Sequence, residues 1–113
     1  GPATSKLPVI LVGDLNSDVK TEVKAGDGQA YRVLTHAGFR ERSTYKPLGC
    51  CIESSYDLKS GSAAEFDHKV DHIMTDAPQQ VKLLASKVTG RQRQHGYWDS
   101  DHAGLFSSLD LLR

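Results

Sequence analysis

Three short polar segments each stand where an apolar stretch meets a loop. Gly13-Asp14-Leu15-Asn16-Ser17 follows the run Pro8-Val9-Ile10-Leu11-Val12, Val70-Asp71-His72-Ile73 lies mid-chain, and Ser100-Asp101-His102 precedes a last apolar stretch. Asp, Asn and His at such junctions constrain the fold more than any bulk property, because a sheet built among loops gathers its chemistry along the rim where strands end. Each segment alone is weak. Asp14 and Asn16 also cap backbone amides in ordinary turns, as Asp18 does, and Ser100-Asp101-His102 alone is a plain polar loop. Asp71 is harder to assign to structure, since Asp is disfavoured inside strands.

The stretches between these segments suggest an order of elements. Pro8 to Val12 is a continuous apolar run with β-branched residues, which predicts a central strand buried on both faces. Asp27 or Gly28 can cap a helix over about Gly28 to Ala37, in which Ala30, Val33, Leu34 and Ala37 form one apolar stripe and Gly38 takes the left-handed position after it. From Arg40 to Asp67 periodicity fades around a short Gly49-Cys50-Cys51-Ile52 run, and a stretch of that length without structure is functional or mobile. Lys69 to Thr75 alternates, with Val70, His72 and Met74 on one face and Asp71 and Ile73 on the other. Val81 to Val88 reads as a strand antiparallel to it through the Asp76-Ala77-Pro78 turn. Thr89 to Asp99 is a polar loop, and Ala103 to Leu112 is the last strand. The fold class is therefore α/β or α+β: a mixed, mainly antiparallel sheet with few helices. Several strands carry apolar residues on both faces, and one helix cannot cover them.

Composition excludes more than it selects. The chain has 113 residues, 38% apolar and 25% charged, which is globular and fits one domain or part of one. Fourteen basic residues balance fourteen acidic ones, so a uniformly basic nucleic-acid binder is not expected, while a local basic strip is allowed. No apolar run approaches the roughly 20 residues of a membrane span. Gly1-Pro2 resembles a protease-cleavage scar; residues 1–7 are set aside as scar and linker, and 8–113 are taken as the folded unit.

Cys50 and Cys51 are adjacent, a spacing that fits no zinc motif. Bonding between neighbours closes a strained ring, so buried or loop thiols are expected, with a vicinal disulfide or redox switch as the alternative. His36, His68, His72 and His95, with Asp67 and Asp99, do not suggest a zinc centre either: His68 and His72 lie four apart on a strand, too far for one ion. The Arg91-Gln92-Arg93-Gln94-His95-Gly96-Tyr97-Trp98 stretch mixes basic and aromatic residues and could hold a phosphate backbone or stack a base. The plainer expectation is a solvated loop with Trp98 as a packing anchor.

Phosphoester cleavage requires an activated water, a divalent cation against the phosphate oxygens and a donor for the developing charge. A carboxylate, an amide and an Asp-held imidazole supply the protein's share, and hard oxygen ligands suit Mg²⁺ or Mn²⁺. Gly13-Asp14-Leu15-Asn16, Lys69-Val70-Asp71-His72-Ile73 and Trp98-Asp99-Ser100-Asp101-His102 resemble the three C-terminal motifs of the endonuclease/exonuclease/phosphatase (DNase I-like) superfamily, over about Pro8 to Leu112. Lys69 stands where that family often has Arg. The resemblance implies a metal-dependent phosphoester hydrolase in which Asp14 activates water and Asn16 binds the scissile phosphate. Asp71 would accept from His102, His102 would donate to the phosphate, and Asp101 would lie in or near the metal site. It further implies that residues 8–113 are the C-terminal half of a four-layer sandwich whose other half carries the main metal-binding Glu. The alternative is then a catalytically silent half-domain that pairs with that half or with a second copy. Nucleic acid, inositol phosphate and phospholipid headgroup all remain open as substrates.

Overall fold

A computed structural model describes residues 7–18, 28–53 and 57–112 of the chain. The fold is mixed α+β, mostly strands, with two antiparallel sheets and one α-helix. The elements are β1 (Ile10–Asp14), α1 (Gln29–His36), β2 (Arg40–Glu41), a 3₁₀ turn (Ala63–Glu65), β3 (Asp71–Thr75), β4 (Val81–Thr89) and β5 (Gly104–Leu111). Gly1-Pro2 and the Asp27 alternative for the helix cap lie outside the described residues.

The first sheet has the order β1-β3-β2. The apolar run before Asp14 therefore forms an edge strand, not the central one expected from its composition. Register fixes its two faces. Ile10, Val12 and Asp14 stand opposite Thr75, Ile73 and Asp71, while Leu11 and Gly13 stand opposite Met74 and His72. Side chains directly opposite in an antiparallel pair share a face. The face with His72 and Met74 is buried, and Tyr31 of α1 covers it, its ring centroid 4.9 Å from that of His72. On the other face Val12 is 67% exposed, because nothing among the described residues lies over it.

Gly28 opens α1 without a side-chain cap, and the helix closes on a double hydrogen bond. The Gly38 amide donates to Thr35 O and the Phe39 amide to Leu34 O, both at 3.0–3.1 Å, with Gly38 at φ +99°. This is the Schellman closure that a glycine without Cβ allows. The predicted stripe is only partly used: Leu34 is half-buried, but Ala30, Val33 and Ala37 face outward, and Tyr31 turns to the sheet instead.

β4 pairs with β5, not with β3 as expected. Both edges of β3 are already taken by β1 and β2, so a strand leaving the Asp76 turn must find another partner. The turn serves as an anchor: Asp76 Oδ1 accepts the Val9 amide at 2.8 Å, and Thr75 Oγ1 accepts the Ala77 amide at 3.1 Å. Leu84 has no register partner between the Leu83–Leu109 and Ala85–Ser108 pairs and forms a bulge in β4.

The segment Arg40 to Asp67, expected to lack structure, carries β2, the 3₁₀ turn and much of the core. Ile52 and Phe66 pack with Trp98 and Ala103, and the Phe66 and Trp98 rings meet edge-on at 5.6 Å. Trp98 Nε1 donates to Ser60 O at 2.9 Å, so the anchoring role read from the sequence is physically explicit. Cys50 links the sheets. Its amide donates to His68 O at 3.1 Å, its carbonyl accepts the His68 amide at 3.1 Å, and on its other side it forms a bridge with His102. Cys50 and Cys51 are joined as a vicinal disulfide, not as the free thiols expected.

The molecule is a slab of 48 × 27 × 19 Å with a radius of gyration of 15.4 Å, against about 13 Å for a compact domain of this length.

Asp18, expected to be a turn residue, is fully buried. Its Oδ2 accepts the Lys69 amide at 2.5 Å and its Oδ1 accepts the Tyr45 hydroxyl at 3.2 Å, which pins the chain after β1 to the approach to β3. Asp18→Ala leaves both donors without this acceptor, so urea unfolding should show a loss of about 2–3 kcal/mol. Removal of the exposed carboxylate in Asp110→Ala should change stability by less than about 0.5 kcal/mol.

Candidate active site

The last residue of β1, the first of β3 and the residue two before β5 meet at one rim. One carboxylate oxygen each of Asp14 and Asp71 and a ring nitrogen of His102 all lie within 4.8 Å of one another. Antiparallel register accounts for the carboxylates, since Asp14 stands directly opposite Asp71. The Cys50 seam accounts for the imidazole, because it aligns the entry to β5 with the entry to β3. Ser100 sets the local turn: its Oγ accepts the His102 amide at 3.1 Å.

His102 Nδ1 donates to Asp71 Oδ2 at 2.7 Å, which leaves Nε2 toward Asp14 Oδ2 at 3.7 Å. A carboxylate only accepts, so Asp71 fixes the ring orientation. Burial of His102 works against its charge, but the hydrogen bond and charge of Asp71, with the charges of Asp101 and Asp14, outweigh it and raise its pKa above 6.5. The three residues border an open cleft of about 620 Å³ whose apolar lining includes Val12, Ile73 and Leu105.

The other expected site residues are less central. Asn16 is exposed in the left-handed region at φ +49°, and its amide donates to Asp14 Oδ1 at 2.8 Å. One oxygen of Asp14 therefore serves the Asx turn that its sequence setting suggests, and the other faces His102. Asp101 is exposed, and its Oδ1 accepts from Ser100 Oγ at 3.3 Å; the carboxylate paired with Asp14 at the rim is Asp71, not Asp101. Arg91 and Arg93 serve the fold: Arg91 donates to Leu48 O and Ala63 O, and Arg93 to Lys59 O.

As to a cation, Asp14 Oδ2 and Asp71 Oδ1 are the hard donors left after Asn16 and His102 take the other carboxylate oxygens. Mg²⁺ is commonly held by one or two carboxylates, with water and phosphate oxygens completing the octahedron. The residues present fit such an ion in that limited sense.

Sequence reasoning missed the support behind the site. Glu41 Oε1 accepts from His72 Nδ1 at 2.7 Å, and its Oε2 accepts the Ile73 amide at 3.0 Å. Burial opposes the Glu41 charge, but hydrogen bonds from His72, Ser43 and Ile73 prevail and lower its pKa below 4.5. Lys69 Nζ donates to Asp71 O at 2.8 Å. A two-residue strand has no periodicity, so nothing in the sequence marks Glu41.

No protein-family model, curated protein or solved structure matches the chain.

Two pH effects follow. A raised histidine pKa stabilises the fold fully below the unfolded value of 6.5, and that stability is lost as pH rises through the higher folded value. A lowered glutamate pKa stabilises above 4.5, and that stability is lost as pH falls through the lower folded value. An NMR titration of the imidazoles should show His102 titrating above 6.5 and moving downward in Asp71→Asn. An unchanged midpoint in that variant would refute the Asp71 contribution.

Proposed function

We propose that this chain carries the base and donor of a metal-dependent phosphoester hydrolase. The observation that supports this most directly is the convergence of Asp14, Asp71 and His102 at the mouth of a cleft, from three separate parts of the chain. The motif resemblance to the endonuclease/exonuclease/phosphatase superfamily points the same way.

In this reading Asp14 Oδ2 orients a water in the cleft and takes its proton as the oxygen attacks phosphorus. His102 donates through Nε2 to a phosphate oxygen, and Asp71 holds the ring by Nδ1 and stabilises its charge. The raised pKa keeps His102 a donor at higher pH than a free imidazole. Asn16, on the exposed turn beyond Asp14, orients the phosphate with its amide. Mg²⁺ or Mn²⁺ bound by the free oxygens of Asp14 and Asp71 supplies neutralisation of phosphate charge. Asp101 contributes charge at a distance. The substrate is a phosphoester of nucleic acid, an inositol phosphate or a phospholipid headgroup.

With Mg²⁺ and bis(p-nitrophenyl) phosphate, Asp14→Ala and His102→Ala should each lower the rate by about 10²–10⁴-fold. Lys82→Ala, on the exposed side of β4, should leave it unchanged, and chelation should abolish it. Equal rates in wild type and Asp14→Ala would sink the proposal.

A second reading, the catalytically silent half-domain, is favoured by the uncovered sheet. Ile10 and Val12 are exposed on one face of the first sheet, and Phe106 and Leu111 are exposed on opposite faces of the second, and a soluble monomer rarely leaves large apolar surface bare. In that reading the face pairs with an N-terminal half or a second copy, and hydrolysis is absent until the missing half is added. Light scattering should then show self-association at micromolar concentration that Val12→Lys disperses. A monodisperse monomer that also hydrolyses the diester alone would rule this reading out.

A further inference from the structure

The vicinal cysteines face two imidazoles, and none of the chemistry proposed above uses them. Cys51 Sγ lies 4.0 Å from His68 Nε2 and 3.8 Å from His102 Nε2, and Cys50 Sγ lies 3.8 Å from the same His102 nitrogen. Cys50 and His68 are 2% and 3% exposed, whereas Cys51 is half-buried and gives the cluster an opening. Each imidazole is held from behind by a carboxylate: His68 Nδ1 by Asp67 Oδ1 at 2.6 Å, and His102 Nδ1 by Asp71 Oδ2 at 2.7 Å. With Nδ1 engaged as a donor, Nε2 presents its lone pair toward sulfur. That carboxylate–histidine arrangement is the one that orients imidazoles bound to zinc.

We propose that, once reduced, Cys50, Cys51, His68 and His102 form a binding site for a soft divalent cation of the Zn²⁺ class. Zinc–sulfur bonds of about 2.3 Å and zinc–nitrogen bonds of about 2.0–2.1 Å at tetrahedral angles give sulfur–nitrogen edges of about 3.6 Å. The observed 3.8–4.0 Å sulfur–nitrogen separations are close to that edge, whereas the two sulfurs, now bonded to each other, must part to about 3.8 Å by side-chain rotation once reduced. Thiolate and imidazole select such an ion over Mg²⁺. In the present state the two sulfurs are bonded to each other and cannot ligate. An external dithiol opens the site. Its two thiols give up two electrons and two protons and close to a disulfide, while the Cys50–Cys51 bond breaks to two thiols. The incoming cation then displaces both of those protons. Because His102 Nε2 is the fourth ligand, filling this site withdraws the donor assigned to the phosphate. The soft site nevertheless stands on its own geometry and not on the hydrolase reading.

Spacing along the chain disfavours a zinc pair of His68 and His72. The structure turns them apart. His72 Nε2 faces Ser17 O at 2.7 Å, in the buried layer under α1, while His68 faces Cys51.

The test is optical and independent of hydrolysis. The full chain is reduced with a dithiol, desalted without oxygen and titrated with Co²⁺. A thiolate-to-cobalt charge-transfer band with tetrahedral d–d bands should saturate at one ion per chain, and Zn²⁺ should bleach it. Cys51→Ser should weaken the charge-transfer band, since Cys50 alone then supplies thiolate, and the double change Cys50→Ser with Cys51→Ser should remove it. Asp67→Asn, an exposed change that spares the core, should weaken binding by about 10–100-fold. The oxidised chain should stay colourless. A reduced chain without the band overturns the proposal, as does a band that survives in the oxidised chain or is unaltered in His68→Gln.

Discussion

One backbone residue holds the two sheets in register. Cys50 exchanges hydrogen bonds with His68 on one side and bridges His102 on the other. Neighbouring paired backbones lie about 4.8 Å apart, so this seam sets the distance between the approach to β3 and the approach to β5. Gly49 and Ile52 extend it: Gly49 O accepts the Ala103 amide and the Ile52 amide donates to Asp101 O, both at 2.8 Å. With the Arg42 donation to Val81 O and the Thr44 amide donation to Ser86 Oγ, the seam ties β4 and β5, a two-stranded unit marginal on its own in water, to the first sheet, and it brings His102 to Asp71. The disulfide partner Cys51 and the core side chain Ile52 follow directly in the chain, so covalent, packing and backbone restraints all act on one short segment.

Three histidines in this small fold use the same device, a carboxylate on Nδ1, and burial separates their roles. His72 is enclosed: Glu41 holds Nδ1 and Ser17 O meets Nε2, so both nitrogens are engaged and the ring is a structural brace under Tyr31. His68 is equally buried, but its Nε2 faces sulfur. His102 is partly open, with Nε2 at the mouth of a cleft and the Asp14 carboxylate nearby. An imidazole can exchange protons or ligands only at a nitrogen that the fold leaves unspent. The free nitrogen, and not the residue type, distinguishes a brace from a candidate ligand or donor.

Much of this was legible where periodicity is long and local. Lys69 to Thr75 alternates, and Val70, His72 and Met74, expected to share one face, are all buried. Gly38 marked the helix end because its backbone conformation suits a residue without Cβ. Pairing was not legible: Val81 to Val88 was recognisable as a strand, but its partner depended on whether β3 had a free edge. Burial of the Ile10 run was also misread, since β-branched composition reports strand propensity and not a cover. Asp14, Asp71 and His102 could be named from their settings, whereas Asn16 and Asp101 were named with equal weight and stand at the margin. The backing carboxylate Glu41 and the Cys–His cluster were invisible, because both arise from contacts across tens of residues within segments that lack any repeat.

The open face of the first sheet bears on how strong the rim electrostatics can be. Asp14 is half exposed, and Val12 beside the cleft is largely bare. Charges that close to bulk water interact weakly, by roughly 1 kcal/mol at 4 Å compared with about 4 kcal/mol at a protein surface of lower effective dielectric. The Asp71–His102 pair escapes part of that loss because each side chain is about a quarter exposed and they meet at hydrogen-bond distance. Asp14 does not. Any layer laid over Val12, Ile73 and Leu105 would exclude water from the cleft, strengthen the field of Asp14 on His102 and increase the pull of both carboxylates on a cation. The same cover would remove apolar surface from solvent at about 25 cal/mol per Å². Burial of the bare sheet and activation of the rim are thus one physical event. A partner that stabilises this face necessarily tunes the candidate site beneath it.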